Sequence, residues 1–145
     1  MKKILVTGGS GWIGKYVVNS LIQKGYEVQA TYNTNKPSHL SCHWHKVNLL
    51  CDEEVKKLIY DIKPSHLIHL AWEAVPPACY VSINNYYWLT SSISLIQHFT
   101  TCGGKQVVVA GTGAEYEWFN GVLFEDSPLL SYKTPYSLCK NALHS

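Results

Sequence analysis

The chain has 145 residues, of which 46% are hydrophobic and 15% are charged, a composition typical of one folded globular domain rather than a disordered chain. Its net charge of +2 points to neither a nucleic-acid partner nor a membrane surface. Every basic residue is a lysine. A diphosphate or carboxylate ligand must therefore be bound by main-chain amides or by lysine, because no arginine guanidinium is present in the sequence.

The cysteines and the N terminus indicate a cellular compartment. Five cysteines form an odd number with no close pair, which favours free thiols in a reducing cytoplasm. The first apolar run stops at Thr7, too early for a signal peptide, and no stretch approaches membrane-spanning length. We therefore expect a cytoplasmic protein.

One segment, Cys42-His43-Trp44-His45, has the residue types of a metal site. In a strand, alternate side chains point to opposite faces, so Cys42 lies on the face opposite His43 and His45. Nothing else in the chain has zinc-ligand spacing, and we predict no metal site.

Short apolar strands alternate with amphipathic segments along the whole chain. Strands are predicted at 4–6, 28–32, around 45–47, at 66–70 and at 107–109. Between the first two strands lies a helix with Ile13, Val17, Leu21 and Ile22 on its buried face and Gly25 at its end. A second helix is capped by Asp52 and ended by Pro64, a third runs from about 81 to 100, and a fourth begins near 134. This alternation predicts an α/β fold of the Rossmann type, a doubly wound parallel sheet with right-handed crossovers.

Three glycines occupy the junction between the first strand and the first helix. Gly8 permits a tight turn, Gly11 lets the main chain approach a diphosphate, and Gly14 lets the helix pack closely on the strand. The amides from Trp12 and Ile13 onward then face an anion at the positive end of the helix dipole. The alternative is a merely flexible turn, but the position at the first strand–helix junction favours dinucleotide binding. No Lys-Ser/Thr pair follows the glycines, which excludes a P-loop.

The end of the second strand bears on the choice between NAD and NADP. An acidic residue there would hold the ribose 2′-hydroxyl of NAD. The stretch at 31–36 has no carboxylate, and Lys36 is its one group able to attract a 2′-phosphate. The sequence therefore leaves both cofactors open and favours NADP.

The glycine turn, His66-Leu67-Ile68-His69-Leu70-Ala71, Gly111-Thr112-Gly113-Ala114-Glu115-Tyr116 and Tyr136-Ser137-Leu138-Cys139-Lys140 together resemble the extended short-chain dehydrogenase/reductases. Within that group the chain is similar to the NAD(P)-dependent epimerases and dehydratases that act on nucleotide sugars. The resemblance implies that Leu70 and Ala71 line the cofactor. It also implies that Asn48-Leu49 stands where the family has an adenine-contacting aspartate.

The resemblance further implies that Tyr136 and Lys140, one helical turn apart, are catalytic and contact the cofactor, and that Thr112 shares a hydrogen bond with the substrate oxygen. Lowering a phenol pKa from about 10 to about 7 takes roughly 4 kcal/mol, which a lysine charge about 4 Å away can supply. Tyr136 would then act as general acid/base.

The spacing alone proves little, since chance gives about one such match and Tyr32 and Lys36 also fit. The alternatives are an amphipathic surface helix and a turn hydroxyl.

One difference from the family's sequence pattern bears on which reaction the chain would catalyse. The 4,6-dehydratases follow the threonine with Asp-Glu, whereas this chain has Gly113 and Ala114, and Glu115 comes one residue too late. An epimerase, which is an isomerase, or a ketosugar reductase, which is an oxidoreductase, therefore fits better than a dehydratase.

The length of the chain leaves two hypotheses of different classes. Members of the family run to roughly twice this length, so we expect residues 1–145 to form one NAD(P)-binding domain, truncated after the fifth strand and the start of the next helix, with the substrate domain absent. The chain is then either this portion of a nucleotide-sugar enzyme or a catalytically silent dinucleotide-binding module. We expect weak or no turnover, and an open sheet edge that favours a homo-oligomer.

Overall fold

The computed structural model describes residues 2–37, 41–73, 75–117, 122–124 and 130–144. Within these residues five strands alternate with helices in the order β1 (Lys3–Thr7), α1 (Trp12–Gln23), β2 (Glu27–Tyr32), β3 (His43–Lys46), α2 (Asp52–Ile62), β4 (His66–His69), α3 (Asn84–Thr101), β5 (Gln106–Val109) and α4 (Pro135–His144). Two three-residue 3₁₀ turns, Ala78–Tyr80 and Gly113–Glu115, precede α3 and follow β5.

The strands form one parallel sheet with the order β3-β2-β1-β4-β5. The chain winds outward from β1 in one direction through β2 and β3, and in the other through β4 and β5. The point of reversal therefore lies between β1 and β4, where Thr7 pairs with His69. Open α/β sheets bind their ligands beyond the carboxyl ends of strands at such a reversal. The predicted doubly wound parallel sheet is confirmed.

The described chain divides into two compact units. The first contains Met1–Trp72 and Ser94–Ala110, and thus the whole sheet; the second contains Glu73–Ile93 and Gly111–Ser145. All five strands lie in the first unit, whereas helical residues fall on both. The glycine turn belongs to the first unit, and the Thr112, Tyr136 and Lys140 positions belong to the second.

The core of the first unit lies on the central strands. Ile4 and Val6 of β1 pack with Val18 of α1 and with Val28 and Ala30 of β2, all buried. Leu5 points to the opposite face of the sheet and is also fully buried. A strand covered on both faces needs consecutive apolar residues, which explains the unbroken Ile-Leu-Val run of β1.

The first helix differs in one detail from its prediction. Val17, Leu21 and Ile22 pack against the core as expected, but Ile13 is 57% exposed and Gly14 is buried in its place. The expectation for Ile13 was wrong because Gly14, which has no side chain, occupies the closest approach to the glycine turn. Gly25 takes a positive φ of 76° just beyond the helix, as expected of a terminal glycine.

Most strand ends differ from their predicted positions by a residue, and three boundaries differ in ways that have a structural reason or affect the site. Cys51, not Asp52, precedes α2, and Asp52 is the first helical residue; its carboxylate instead bonds Ser94 and His98 of α3. The third helix begins at Asn84 rather than near residue 81, because the chain first makes a 3₁₀ turn. The third strand ends at Lys46, one residue earlier than expected.

Candidate functional site

The turn after β1 has the geometry that the glycines predict. Gly8 has a φ of 67°, a conformation that strongly favours glycine. Its N–H donates to Oγ1 of Thr31 (3.2 Å) on the neighbouring strand, and its carbonyl accepts from the N–H of Gly11 (3.0 Å). A Cβ at Gly8 would lie 2.8 Å from the main-chain nitrogen of Ala71. These two hydrogen bonds and the close approach of Ala71 make the turn a tight loop rather than a flexible one.

Gly14 sits where the helix passes closest to this turn. A Cβ there would lie 2.1 Å from the carbonyl oxygen of Gly8, a distance that no side chain can occupy. Gly11 is less crowded, with 3.1 Å to the same oxygen. Close packing of α1 on the turn thus depends on Gly14.

The N terminus of α1 is open to an anion. Gly11 precedes the helix, no side chain caps it, and the first turn carries no acidic residue. The following residues, Trp12 and Ile13, are exposed (78% and 57%). The residues present therefore fit a diphosphate bound by main-chain amides at the positive end of a twelve-residue helix.

The other predicted cofactor residues of the first unit lie in two places. Leu70 and Ala71 directly follow β4, and their main chain is the part that approaches Gly8 most closely. Leu49 is buried and Asn48 is exposed. The side-chain oxygen of Asn48 accepts from the N–H of Leu50 (3.1 Å), so this carboxamide also shapes the turn before α2.

The predicted catalytic residues lie together in the second unit. Thr112 precedes the 3₁₀ turn and its side chain makes a hydrogen bond with the phenol of Tyr136. Tyr136 is 9% exposed, and Lys140, one turn further along α4, is 6% exposed. The ring of Tyr80 packs edge-on against that of Tyr136, with 5.7 Å between centroids. Both side chains therefore lie on the buried side of α4, whereas Leu138 and Ala142 of the same helix are exposed.

The start of α4 is set by local bonds. The hydroxyl of Thr134 accepts from the N–H of Ser137 (3.1 Å), and the hydroxyl of Ser137 lies 3.2 Å from the N–H of Thr134. This reciprocal cap fixes the helix beginning at Pro135, where proline needs no hydrogen-bond acceptor. Tyr136 and Lys140 consequently share one face of α4.

The protonation of the pair differs from the expectation that Lys140 lowers the pKa of Tyr136. Burial raises the pKa of the Tyr136 phenol, and the hydrogen bond from Thr112 opposes this only in part. Burial also lowers the pKa of Lys140 to about 8, while the negative charge of Glu115 raises it. The expectation was wrong because it counted the lysine charge and left out the desolvation of both groups.

One residue of the second unit was missed as a site residue. Glu115 is 4% exposed, and its Oε1 accepts from the main-chain N–H of Thr112 (2.7 Å). The side-chain amide of Asn141 donates to the carbonyl of Glu115 (3.1 Å), and His144 Nδ1 lies 3.3 Å from Glu115 Oε2. The capping-box spacing from Thr112 to Glu115 was the available sequence signal.

The described residues also bear on metal binding and membrane insertion. Among the described residues, no group of three or more His, Cys, Asp and Glu is placed to hold a metal ion. No helix within the described part of the chain is long and apolar enough to cross a membrane.

Comparison with known proteins identifies the family. The model of the NAD dependent epimerase/dehydratase family matches residues 4–145. The chain therefore belongs to this family. It is 30% identical to the dTDP-6-deoxy-L-talose 4-dehydrogenase (NAD(+)) of Aggregatibacter actinomycetemcomitans over 97% of this chain and 52% of that protein. It is 25% identical to UDP-glucose 4-epimerase 2 of Arabidopsis thaliana over 96% of this chain and 44% of that protein.

Solved structures agree with this assignment. The NAD complex of UDP-glucose 4-epimerase from Thermus thermophilus superposes with a TM-score of 0.81 at 26% identity, covering 98% of this chain and 48% of that one. The chain thus spans about half the length of the relatives it matches. The resemblance to nucleotide-sugar enzymes of the short-chain dehydrogenase type is confirmed, and with it NAD as the cofactor of the family.

Proposed function

We propose that this chain is the NAD(P)-binding portion of a nucleotide-sugar epimerase or ketosugar reductase. The observation that carries the proposal is the buried constellation of the second unit, in which Thr112 bonds the Tyr136 phenol and Lys140 follows one helical turn later. Membership of the family and similarity to a dTDP-sugar dehydrogenase and to UDP-glucose epimerases support this substrate class.

The cofactor would bind in the first unit. Amides at the start of α1, from Trp12 to Gly14, would hold its diphosphate, which Gly11 lets the main chain approach. Leu70 and Ala71 would line it beside Gly8, and Asn48-Leu49 would contact its adenine end. Lys140 would hold its ribose. A nicotinamide dinucleotide supplies hydride transfer when it is bound.

Tyr136 would move the proton at a sugar oxygen, with the Thr112 hydroxyl bonded to that same oxygen. Because burial raises its pKa, the phenol is held in its neutral form and is ready to donate a proton. Donation accompanies reduction of a keto sugar. Oxidation of a hydroxyl requires Tyr136 to be a phenolate, which then accepts the hydroxyl proton.

The arrangement of Glu115 argues against a dehydratase. Its Oε1 is bonded to the N–H of Thr112, so this carboxylate serves the turn. The two preceding positions, Gly113 and Ala114, have no group able to move a proton. Elimination of water would lack its acid and base.

The second candidate is a catalytically silent dinucleotide-binding module, for which the glycine turn and the open N terminus of α1 would suffice. Calorimetry with NAD(H) and NADP(H) tests the shared part of both candidates, and a folded sample without heat from either cofactor contradicts both. Oxidation of NADH or NADPH by a keto-sugar nucleotide then separates them. Turnover that Tyr136→Phe abolishes supports the enzyme; its absence in the unsubstituted chain supports the module.

The preference for NADP rests on Lys36, which is exposed beyond β2. Lys36→Ala should weaken NADP binding and leave NAD binding unchanged, because only NADP carries the 2′-phosphate. Lys24→Ala, another exposed lysine of the same unit, is the control. Equal affinity for NADP in both variants would contradict the preference.

A homo-oligomer is the remaining proposal. In the described sheet β5 is an edge strand, and Val108 is 51% exposed. An exposed apolar edge favours association with a second copy. Sedimentation velocity of the chain should show a dimer or larger species, and Val108→Lys should shift it toward the monomer.

A further inference from the structure

An aromatic contact joins the proposed general acid to a turn that the proposed function leaves unused. The ring of Tyr80 packs edge-on against the ring of Tyr136, with 5.7 Å between centroids and 84° between planes. Aromatic pairs favour this arrangement, because the positive edge of one ring meets the negative face of the other. Tyr80 is 39% exposed and Tyr136 is 9% exposed. The more exposed ring therefore covers part of the more buried one.

The turn that carries Tyr80 is held by the start of α3. The side-chain amide of Asn85, which is 1% exposed, donates to the carbonyls of Cys79 (2.7 Å) and Ser82 (2.8 Å). The hydroxyl of Ser82 in turn accepts from the N–H of Asn84 (3.2 Å). A buried amide that lost such partners would be costly, so these bonds are hard to break. They hold the main chain on both sides of Tyr80, and its ring has a defined place.

The phenol is held from two sides. Both 3₁₀ turns contact α4: the turn after β5 brings the Thr112 hydroxyl to the phenol oxygen, and the turn before α3 brings Tyr80 to the ring. The torsion that rotates a tyrosine ring has a broad minimum, so a bond at the hydroxyl leaves the ring plane loosely defined. The edge-on contact with Tyr80 restricts that plane.

The same contact bears on the charge of the phenol. Burial raises the pKa of Tyr136, and Cys79 and Tyr80 of one turn and Glu115 of the other raise it further, whereas the hydrogen bond from Thr112 lowers it. On α4 itself, Lys140 follows one helical turn later. A ring that keeps water from the phenol disfavours the phenolate and favours the neutral form, which can donate a proton.

We infer that Tyr80 is a positioning residue of this site: its ring fixes the plane of the Tyr136 ring and excludes water from it, so that the phenol is presented as a neutral donor beside Thr112. The inference deepens the proposed function and rests on it for the role of Tyr136 as general acid. The contact itself exists in the chain without cofactor and is measured there.

The decisive comparison is between Tyr80→Leu and Tyr80→Phe. Leucine removes the aromatic ring, whereas phenylalanine keeps the ring and removes only its hydroxyl. The probe is the Cζ NMR signal of Tyr136 in ¹³C-tyrosine-labelled chain without cofactor, followed against pH and assigned by its loss in Tyr136→Phe. In Tyr80→Leu we expect the pKa of Tyr136 to fall toward the ordinary value of 10.0, because water reaches the phenol. In Tyr80→Phe the pKa of Tyr136 should keep most of its rise.

Tyr87→Leu is the matched control. Tyr87 is a tyrosine of α3 in the same unit and is 61% exposed, so its removal should leave Tyr136 unchanged. An unchanged Tyr136 in Tyr80→Leu, or an equal fall in Tyr80→Phe or in Tyr87→Leu, overturns the inference.

A second measurement decides if Tyr80→Leu does not fold or if the chain unfolds before the titration ends. In the unsubstituted chain near neutral pH, two rings with 5.7 Å between centroids should give a nuclear Overhauser cross-peak between their ring protons. The cross-peak between Tyr80 and Tyr136, assigned by its loss in Tyr136→Phe, supports the inference. Its absence overturns it.

These outcomes are independent of ligand binding. A chain that binds neither NAD nor NADP but shows the expected fall in Tyr80→Leu contradicts the proposed function and leaves the effect of Tyr80 on Tyr136 intact. A chain that binds cofactor but shows neither the fall nor the cross-peak does the reverse.

Discussion

Nδ1 of His69 lies 2.6 Å from Oγ1 of Thr7, at the paired carboxyl ends of β4 and β1. Both residues are buried, with 3% and 0% of their surfaces exposed. His69 is therefore a hydrogen-bonded residue of the core. The contact joins the two strands at the reversal point of the sheet, immediately before the glycine turn and before Leu70.

This contact predicts a stability loss for Thr7→Val. Valine has the shape of threonine but no hydroxyl, so the buried imidazole loses this partner at a cost of about 1–3 kcal/mol. Urea unfolding followed by circular dichroism measures the difference. Thr7→Ser keeps the hydroxyl and should lose clearly less. Equal losses in the two variants would show that the methyl group matters and the hydrogen bond does not.

The second prediction concerns Gly14→Ala. The added Cβ would meet the carbonyl oxygen of Gly8 at 2.1 Å, so α1 must move away from the turn. We expect a stability loss of about 1–3 kcal/mol, as for overpacked sites. Calorimetry should show NAD binding weakened about tenfold or more, equivalent to about 1.4 kcal/mol. Asn19→Ala, at an exposed position of the same helix, should change neither quantity. Unchanged NAD affinity in Gly14→Ala would separate the turn from the cofactor.

The third prediction is a pH dependence of stability due to Lys140. Its pKa is about 8 in the folded chain and 10.5 as an unperturbed lysine. Below about pH 8 Lys140 is protonated in both states, and burying the ammonium lowers the free energy of unfolding. This loss of stability disappears as the pH rises toward 10.5, because the lysine is then neutral in the folded chain and becomes neutral in the unfolded chain as well. Lys140→Met should be more stable than the parent chain at pH 7, by up to about 3 kcal/mol, and should lose this advantage by pH 10.5. A difference that stays constant across this range would contradict the depressed pKa.

The fourth prediction concerns the thiol of Cys42. Burial raises its pKa to about 11, and the charge of Lys36 offsets this only in part. The thiolate is the reactive form, and at pH 8 its fraction is about a hundredfold smaller for a pKa of about 11 than for a pKa near 9. The greater nucleophilicity of the more basic thiolate recovers about tenfold, so Cys42 should react with an aromatic disulfide reagent about tenfold more slowly than a thiol of pKa near 9. A chain that keeps Cys42 and has serine at the other four cysteines isolates this rate. Free cysteine under the same conditions is the reference, and a comparable rate would contradict the raised pKa.

The sequence alone predicted the order of strands and helices, the parallel sheet and the glycine turn. Each of these depends on local patterns: the apolar run of β1, the glycines at 8, 11 and 14, and Gly25 beyond α1. Such features need no knowledge of distant contacts, because conformation and amphipathicity are set within a few residues.

The tertiary structure decided what depends on neighbours distant in the chain. Ile13 is exposed because Gly14 takes the closest approach to Gly8, and Asp52 bonds α3 instead of capping α2. The protonation of Tyr136 and Lys140 follows from burial, which no spacing of four residues reveals. Glu115 stands one position from where the family's dehydratases carry a carboxylate, and only the packing of its turn against α4 gives it a place beside Thr112 and His144. Local pattern thus determined which elements form, and desolvation and long-range contact determined the charge of the groups they carry.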